Sequence, residues 1–391
     1  MPPRKPAHRR ITDPASPFTA LQQRLHYMDR FPERTWVNVM ENVPRWPTAP
    51  SSPVALTPDL LEYAPCEGQG FLLDALMQRE ERVHGVKVRR DQLLVTNGAM
   101  HGVSLVLRAL AVPGATALVQ APVFTSIAQT LRLAGYRSRY FTVKHGTPDF
   151  ERLEASLDAS VKVIYVNSPN NPTGEVLSEA AMARLVALAK RRDLQLVADL
   201  VYDSFVFGSG QFGAPLRDPQ TYEHVHVLNS MSKNYGSPGL RVGWVMSSAQ
   251  NIQRLAAMLE RECVAISGPS QRAAAALLGH GNKELVEYVR AGRGFLLRAL
   301  ETLPGVTFDE PAGGTQLFAR LPVTDIEAFG DSALEALGLA LATRSQYEGV
   351  DGPYIRLPLG ADRSTLVRAL DLLREALGVF GDPSGSAANA P

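Results

Sequence analysis

The chain has 391 residues, of which 45% are hydrophobic and 20% are charged, a balance typical of a globular protein with a large core. Its 40 basic and 39 acidic side chains leave a net charge of +1, so the overall charge does not favour nucleic acid or an anionic membrane as a partner. Two cysteines outside any C-x-x-C pair, and no apolar run of roughly 20 residues, argue against a disulfide framework and a membrane span. We therefore expect a cytoplasmic protein with a small-molecule substrate.

Residues 1–50 begin with "MPPRKPAHRRITDP", a basic and proline-rich stretch that predicts a disordered start, and we expect the rest of this segment to join a smaller domain. Over residues 51–270, short apolar runs such as "QLLVT", "TALVQ" and "VKVIYVN" alternate with amphipathic helical stretches. This alternation predicts a mostly parallel sheet covered by helices on both faces. In such sheets, ligands bind at the carboxyl ends of the strands.

From about residue 268 to residue 303 the sequence is helical without β runs, which predicts a long connector between domains. Short β runs such as "TQLFARL", "LALATR" and "YIRLPL" follow, mixed with helical stretches. We therefore expect an inter-domain helix and a small α+β domain over residues 271–380, and a disordered tail over residues 381–391. "GSGQFG" (208–213) fits G-x-G-x-x-G, but the prolines after it favour a surface turn over a dinucleotide site.

Polar residues stand at the predicted strand ends. "TNGAM" places Gly98, Ala99 and Met100 at a strand-to-helix turn whose free N–H groups suit a phosphate, although ordinary βα turns look the same. Asn171 lies in the turn "NSPNNPTG". Asp199 ends an apolar strand, with Tyr202 three residues later, and such a carboxylate is costly if it is buried without a partner.

"SMSK" then supplies two serines and Lys233, and Arg241 follows eight residues later. Together these residues form the block S-x-S-K-x-x-x-x-x-G-x-R-x-G, with N-P-T-G and D-x-x-Y upstream. In this order they resemble the fold-type I aminotransferase superfamily, whose members use pyridoxal 5′-phosphate (PLP), over most of the chain from Tyr63 to Arg356. The resemblance implies an α/β fold with a mostly parallel sheet of the seven-stranded type in a large domain, and a smaller α+β domain.

The resemblance also implies roles around the cofactor ring. Lys233 would form a Schiff base with the PLP aldehyde and later move protons at the substrate α-carbon. Asp199 would keep the pyridine nitrogen protonated, so that the ring acts as an electron sink. Tyr202 and Asn171 would bond the ring hydroxyl, and Phe124 would stack on the ring.

The remaining roles concern the phosphate, the substrate and the second subunit. Ser230, Ser232 and Arg241 would join the Gly98–Ala99–Met100 turn around the phosphate. Tyr63 resembles the family tyrosine that reaches the phosphate of the other subunit, which implies a homodimer with shared sites. Arg356 resembles the arginine that clamps the substrate α-carboxylate, its alternative being a surface arginine on a strand.

The stretch "WVNVMENVPRWP" (36–47) departs from the family pattern N-L-x-x-G-x-P, because Asn42 replaces the glycine and Glu41 precedes it. The pair resembles relatives that process S-adenosylmethionine or that oxidise arginine, and the resemblance implies that Glu41 and Asn42, together with Asn171, contact the substrate. One hypothesis is that Glu41 attracts a cationic substrate group, a sulfonium or a guanidinium. The alternative is that Glu41 points to solvent or caps a neighbouring helix.

Aminotransfer is the leading reaction on this pattern. Elimination or replacement, and an oxygen-dependent oxidase, remain alternatives on the same scaffold, and a non-catalytic PLP-binding regulator is the alternative of another class. No metal is expected: His224 and His226 have no third ligand in the sequence, and a half-exposed strand face explains them. His101 follows the phosphate turn and either touches the cofactor or packs on its helix.

Overall fold

The structure is a computed structural model that describes residues 11–13, 16, 18–51, 54–208 and 212–381, with side chains left undescribed at 219–221. The predicted disordered start and tail lie almost entirely outside these residues. Within the described ranges, every helix is too short or too polar to span a bilayer.

The α-helices, in chain order, are α1 (Ala20–Asp29), α2 (Pro58–Leu61), α3 (Gly70–His84), α4 (Ala99–Ala109), α5 (Thr125–Leu133), α6 (Phe150–Ala155), α7 (Glu179–Arg192), α8 (Met231–Asn234), α9 (Ala249–Cys263), α10 (Gly268–His280), α11 (Lys283–Leu300), α12 (Ile326–Ser332) and α13 (Arg363–Phe380). Several begin at a serine whose side chain accepts a hydrogen bond from the first turn, as Ser178 does before α7 and Ser248 before α9.

The strands are β1 (Val37–Asn38), β2 (Leu93–Thr96), β3 (Thr116–Ala121), β4 (Val123–Phe124), β5 (Arg137–Lys144), β6 (Thr147–Pro148), β7 (Val161–Asn167), β8 (Gln195–Asp199), β9 (Val225–Ser230), β10 (Gly243–Met246), β11 (Thr307–Phe308), β12 (Gln316–Arg320), β13 (Leu339–Ala340), β14 (Ala342–Thr343), β15 (Tyr347–Glu348) and β16 (Tyr354–Pro358).

The large sheet has the order β2-β10-β9-β8-β7-β3-β5-β6. The prediction of a mostly parallel sheet is confirmed, since only β10 and the edge strand β6 run antiparallel to their neighbours. Every residue of β3 and β9 is buried, as expected for strands covered on both faces. The sheet has eight strands where seven were expected, and the additional strand is the two-residue β6. It exists because His145 and Gly146 both take positive φ, 50° and 73°, and close a tight hairpin with β5.

A second, antiparallel sheet has the order β11-β12-β16-β14, and α11 and α13 contribute to the apolar core beside it. The run "LALATR", expected as one strand, is split: β13 pairs with β1 near the N-terminus, whereas β14 pairs with β16. Three hydrophobic clusters result: one around the large sheet, one around the small sheet, and a smaller third cluster that contains Met40 and Leu334. The domain limits at residues 50, 270 and 380 stay predictions.

The two sheets are joined beside the carboxyl ends of the parallel strands. After β8 the chain leaves the large sheet, and Val201, Tyr202 and Phe205 belong to the apolar cluster of the small sheet. The short strand β15 of the C-terminal part pairs with β4, which follows β3. This crossing places the residues after β3, β7, β8 and β9 in a cleft between the two cores.

Candidate active site

The turn between β2 and α4 has the form of an anion site. Gly98 adopts φ 75°, a backbone conformation that requires glycine, and Nη2 of Arg241 lies 2.4 Å from the position that a Cβ would take. No side chain caps α4, which leaves the N–H groups of Ala99 and Met100 available. Arg241 donates to the carbonyl oxygen of Asn97 at 3.3 Å and is exposed. A helix N-terminus and a guanidinium therefore face the same space.

Two serines stand beside this turn. Ser230 ends β9 and caps the short helix α8, and its Oγ accepts from the Ser232 N–H at 2.9 Å. The hydroxyls of the two serines are also 2.9 Å apart. A Cβ on Gly243 would lie 2.7 Å from the nitrogen of Ala99, so β10 packs directly on the backbone of the turn. The serines, the turn and Arg241 therefore belong to one cluster.

Lys233 lies on α8, with its Nζ donating to the backbone oxygen of Asn42 at 2.7 Å. Burial, together with the positive charges of Arg356 and Arg241, lowers the pKa of the Lys233 amine to about 8, while Glu41 opposes this shift. A lysine in this state has a substantial neutral fraction near neutral pH. It is therefore suited to act as a nucleophile and as a proton carrier.

Asp199, at the end of β8, is a buried carboxylate. Its Oδ2 accepts from the hydroxyl of Tyr165 at 2.8 Å, and its Oδ1 accepts from the Val201 N–H at 3.2 Å. Burial raises the pKa of Asp199 to about 6, although these two hydrogen bonds oppose the rise. Among the described residues, no basic side chain bonds this carboxylate. The site lacks a cation that would offset the desolvation, and a protonated ring nitrogen would supply one.

Arg356, on β16, is 3% exposed. Its Nη2 donates to the backbone oxygen of Met40, and its Nε is buried without a partner in the described part of the chain. A buried guanidinium with an unused N–H suits a bidentate carboxylate. Its placement in the cleft, beside Lys233, contradicts the alternative of a surface arginine.

Tyr347 is a site residue that sequence reasoning missed. It is 2% exposed, its hydroxyl donates to Oδ1 of Asn171 at 3.2 Å, and its ring centroid is 6.3 Å from that of Phe124. Burial raises the pKa of Tyr347, and the charge of Arg356 opposes this. Tyr347 thereby connects the residues predicted for the cofactor with the arginine predicted for the substrate.

Asn42 and Tyr202 meet at the base of the cleft. The Asn42 side chain is 5% exposed, and its Nδ2 donates to the hydroxyl of Tyr202 at 3.2 Å and to Oε1 of Gln316 at 2.8 Å. Its Oδ1 accepts from the hydroxyl of Thr315 at 2.9 Å. The side chain of Asn42 is therefore bonded to protein on all sides, and Thr315 and Gln316 are further residues that the sequence did not indicate.

Glu41 is exposed, yet its charge reaches Lys233 strongly enough to oppose the lowering of the lysine pKa. Its carboxylate makes no hydrogen bond or ion pair within the described ranges, so no helix cap involves it there. Tyr63 lies elsewhere on the surface and is 87% exposed within one protomer.

A buried ionic cluster lies behind the cleft. Asp203, one residue after Tyr202, accepts hydrogen bonds from Arg79 and, at 2.7 Å each, from His84 and Asn229. Although burial acts in the opposite direction, Arg79 and His84 hold the pKa of Asp203 well below its usual range. The cluster fixes the loop after β8 to the strand that leads to Lys233.

The three histidines considered in the sequence analysis have structural partners. His101 accepts from the Asn97 N–H at 3.1 Å and approaches Glu262, so it supports the turn before α4. His224 lies 3.2 Å from the Leu194 oxygen, and burial lowers the pKa of His226 to about 3. No group of three metal-ligating side chains occurs in the ranges that the structure describes. Of "GSGQFG", residues 209–211 lie outside those ranges, and Phe212 forms a bridge with Ser178.

A cavity of about 940 Å³ lies between the domains, next to the turn that carries Asn171. Pro122, Thr173 and Phe318 are among the residues that line it, and none of the predicted site residues does so. The chemical groups described above face a different part of the cleft. Cavity volume alone would therefore point away from Lys233.

Comparison with known proteins agrees with this geometry. The family "Aminotransferase class I and II" matches residues 31–373. The chain is a class I and II aminotransferase. The aminotransferase is 38% identical over 376 residues to the L-aspartate:5-guanidino-3-methyl-2-oxopentanoate transaminase of Pseudomonas syringae pv. syringae, covering 95% of this chain and 97% of that one. It is also 38% identical to the 3-methylarginine biosynthesis aminotransferase ArgM of Streptomyces arginensis, over 90% of this chain and 95% of that one.

The crystal structure of the aspartate aminotransferase of Thermotoga maritima matches with a TM-score of 0.82 and 25% identity, covering 93% of this chain and 98% of that one. These findings confirm fold type I, PLP as the cofactor and aminotransfer as the reaction. The residues present fit that cofactor, because an anion cradle, a lysine of lowered pKa and a carboxylate without a cation lie at adjoining strand ends.

Proposed function

We propose that the aminotransferase holds PLP between β2, β8 and β9 and exchanges an amino group with a guanidino-bearing 2-oxo acid. The observation that carries the site assignment is a set of buried charged groups in one cleft, the Lys233 amine, the Asp199 carboxylate and the Arg356 guanidinium, none of which forms an ion pair with another described residue. PLP and an amino acid would provide the missing opposite charges.

When bound, PLP supplies an aldehyde and an electron-withdrawing ring. Lys233 would hold the cofactor at its aldehyde end and would carry a proton to or from the substrate α-carbon. Asp199, assisted by Tyr165, would oppose loss of the proton from the ring nitrogen. Arg356 would bind the substrate α-carboxylate, and Phe124 and Asn171 would contact the ring. The turn at Gly98, Ala99 and Met100, with Ser230, Ser232 and Arg241, would hold the phosphate.

The proposed substrate class rests on Glu41. Its carboxylate has no protein partner in the described ranges and lies close enough to Lys233 to affect the lysine pKa. A guanidinium at the end of a substrate side chain would provide the missing counterion. The names of the two 38% identical relatives, one with a guanidino oxo acid and one with 3-methylarginine, support the same class. Aspartate, named for the first relative, is the proposed amino donor.

The two half-reactions make opposite demands on Glu41, and this provides the test. Glu41→Gln should lower kcat/KM for the guanidino oxo acid about tenfold or more, because a charge-assisted hydrogen bond is lost. The same variant should leave unchanged or improve the half-reaction with aspartate, whose side chain is an anion. A 2-oxo acid of equal length with an uncharged side chain should react equally with the native enzyme and with Glu41→Gln.

Glu33→Gln serves as the matched control, because Glu33 is an exposed glutamate in the same N-terminal segment. Each half-reaction is followed separately by stopped-flow absorbance of the PLP-loaded enzyme. Equal losses for all three substrates, or an unchanged rate for the guanidino acid, would reject charge selection by Glu41.

We further propose a cytoplasmic homodimer with shared active sites. Tyr63 is 87% exposed within one protomer, and Leu56 and Leu61 nearby are 65% and 70% exposed, which supports a covering partner. Mixing the variants Lys233→Ala and Tyr63→Phe should give more activity than the average of the two measured separately, because one site of each mixed dimer then carries both native residues. Sedimentation of the mixture as monomers, or no restoration in proven mixed dimers, would contradict shared sites.

A further inference from the structure

Gln316, at the start of β12, has an amide whose orientation is determined by backbone groups. Its Nε2 donates to the backbone oxygen of Asn170 at 2.6 Å, and its Oε1 accepts from the Thr315 N–H at 2.9 Å. A carbonyl oxygen only accepts and an N–H only donates, so the opposite orientation of the amide would lose both bonds. Gln316 is fully buried, and water cannot replace them.

This fixed amide determines the orientation of Asn42. Oε1 of Gln316 can only accept, so the Asn42 atom 2.8 Å from it must be the donor Nδ2. Oδ1 of Asn42 then faces the hydroxyl of Thr315 at 2.9 Å, which can donate to it. The second hydrogen of Nδ2 is left for the hydroxyl of Tyr202, at 3.2 Å.

A tyrosine hydroxyl has a single hydrogen. Since the Tyr202 oxygen accepts from Asn42, that hydrogen points away from Asn42. The Tyr202 hydroxyl makes no other hydrogen bond to the described residues, so its hydrogen is free to donate into the cleft. The backbone oxygen of Asn42 meanwhile holds the Lys233 amine at 2.7 Å. A single residue thus contacts both groups that would face the reactive end of PLP.

We propose that Asn42, oriented by Gln316, is a positioning residue that directs the Tyr202 hydrogen toward the ring oxygen of PLP. The inference rests on the proposed placement of the cofactor against Tyr202. A glycine at position 42, as in the family pattern, has no side-chain amide and cannot direct the hydrogen. Asn42 therefore acts through Tyr202 and not, as the sequence suggested, by touching the substrate with its side chain.

The test measures how the visible absorption of the PLP-loaded enzyme changes with pH. The midpoint of this change responds to hydrogen bonds at the ring oxygen. Tyr202→Phe removes the donor and should raise the midpoint by about one pH unit, the equivalent of one hydrogen bond. Asn42→Gly should raise it in the same direction by a smaller amount, because the hydroxyl remains but is no longer directed. Gln316→Leu should reproduce the effect of Asn42→Gly.

A double-mutant cycle separates positioning from a purely structural role. In the Tyr202→Phe background, Asn42→Gly should cause no further shift. Asn42→Ser provides a second variant if Asn42→Gly fails to fold, with the same expectation. Gln92→Leu is the control, because Gln92 is a buried glutamine immediately before β2, at the end of the strand away from Gly98. This substitution should lower stability and leave the midpoint unchanged.

The outcomes are distinct. If Tyr202→Phe does not move the midpoint, the proposed placement of the cofactor against Tyr202 is wrong and this inference falls with it. If Tyr202→Phe moves it and Asn42→Gly does not, only the positioning role of Asn42 is overturned. An equal shift from Asn42→Gly in both backgrounds would mean that the side chain of Asn42 acts independently of Tyr202, and this too would overturn its positioning role.

Discussion

Replacing Arg356 tests how the substrate carboxylate is bound. Arg356 is 3% exposed. Its guanidinium donates one N–H to the Met40 oxygen, and its Nε has no hydrogen-bond partner among the described residues. Truncating a buried group that pairs with a charged ligand costs about 2–5 kcal/mol. We therefore expect Arg356→Leu to lower kcat/KM roughly 30-fold to several thousand-fold, since about 1.4 kcal/mol corresponds to a factor of ten.

Arg356→Lys is the informative partner variant, because it keeps the charge and loses the planar fork. It should lose about one charge-assisted hydrogen bond, roughly 1.5–3 kcal/mol, or about 10- to 150-fold in kcat/KM. The two variants should also differ at Lys233. Arg356 is among the charges that lower the pKa of Lys233, so Arg356→Leu should raise that pKa and Arg356→Lys should not.

The assay for the second effect is the rate at which cofactor-free enzyme gains visible absorbance after PLP is added, measured against pH. The amine reacts when it is neutral, so a raised pKa moves the curve to higher pH. The substrate KM and the amount of bound PLP are measured in parallel as controls. Loss of PLP with unchanged substrate KM, or the same pH curve for both variants, would refute the placement of Arg356.

Two further carboxylates give predictions. Asp199→Asn should slow the exchange of the substrate α-hydrogen with deuterated solvent on the order of 100-fold or more, because about 3–5 kcal/mol of buried charge pairing is lost; near-normal exchange would remove Asp199 from the site. Asp203→Asn should destabilise the fold by about 3–5 kcal/mol near pH 7 in urea unfolding, since it leaves Arg79 buried with one anion fewer. The pKa of Asp203 is lower in the folded protein than in the unfolded chain, where it is about 3.9. The stabilisation is therefore present above pH ~3.9 and is lost as the pH falls from there through the folded pKa. The loss of unfolding free energy caused by Asp203→Asn should accordingly shrink at low pH. The exposed Asp91→Asn should change stability little at either pH, and an equal effect of both substitutions would contradict the prediction.

The groups that carry the cofactor could be predicted because short motifs specify them. Only glycine suits the positive φ at position 98, and Lys233 stands one and three positions after the two serines of the motif. These constraints act over a few residues of sequence or on a single backbone turn. The alternation of apolar runs likewise predicted the parallel sheet, because strands buried on both faces need continuous apolar residues.

The supporting hydrogen bonds could not be predicted, because they join residues that only the complete fold brings together. Asn42 and Gln316 are separated by 274 positions, and Asn171 and Tyr347 by 176. Tyr165 contacts Asp199 only because β7 pairs with β8 in a particular register. One sequence contains no signal for such pairs, since each residue alone suits an ordinary strand or turn.

The charges around Lys233 also explain why a substrate with both an anionic and a cationic end suits this cleft. Arg356 lowers and Glu41 raises the pKa of Lys233, so the amine lies between a buried cation and an exposed anion. A guanidino oxo acid would place its carboxylate on Arg356 and its guanidinium on Glu41, and would neutralise both charges. The influence of Arg356 and that of Glu41 on the pKa of Lys233 would then both decrease. The proposed donor aspartate neutralises only Arg356 and brings a second anion toward Glu41. Because Glu41 is exposed, its carboxylate can remain hydrated during that half-reaction, at a far smaller cost than a buried carboxylate would incur. An exposed distal anion together with a buried proximal cation is therefore the arrangement that would let one site accept both proposed substrates.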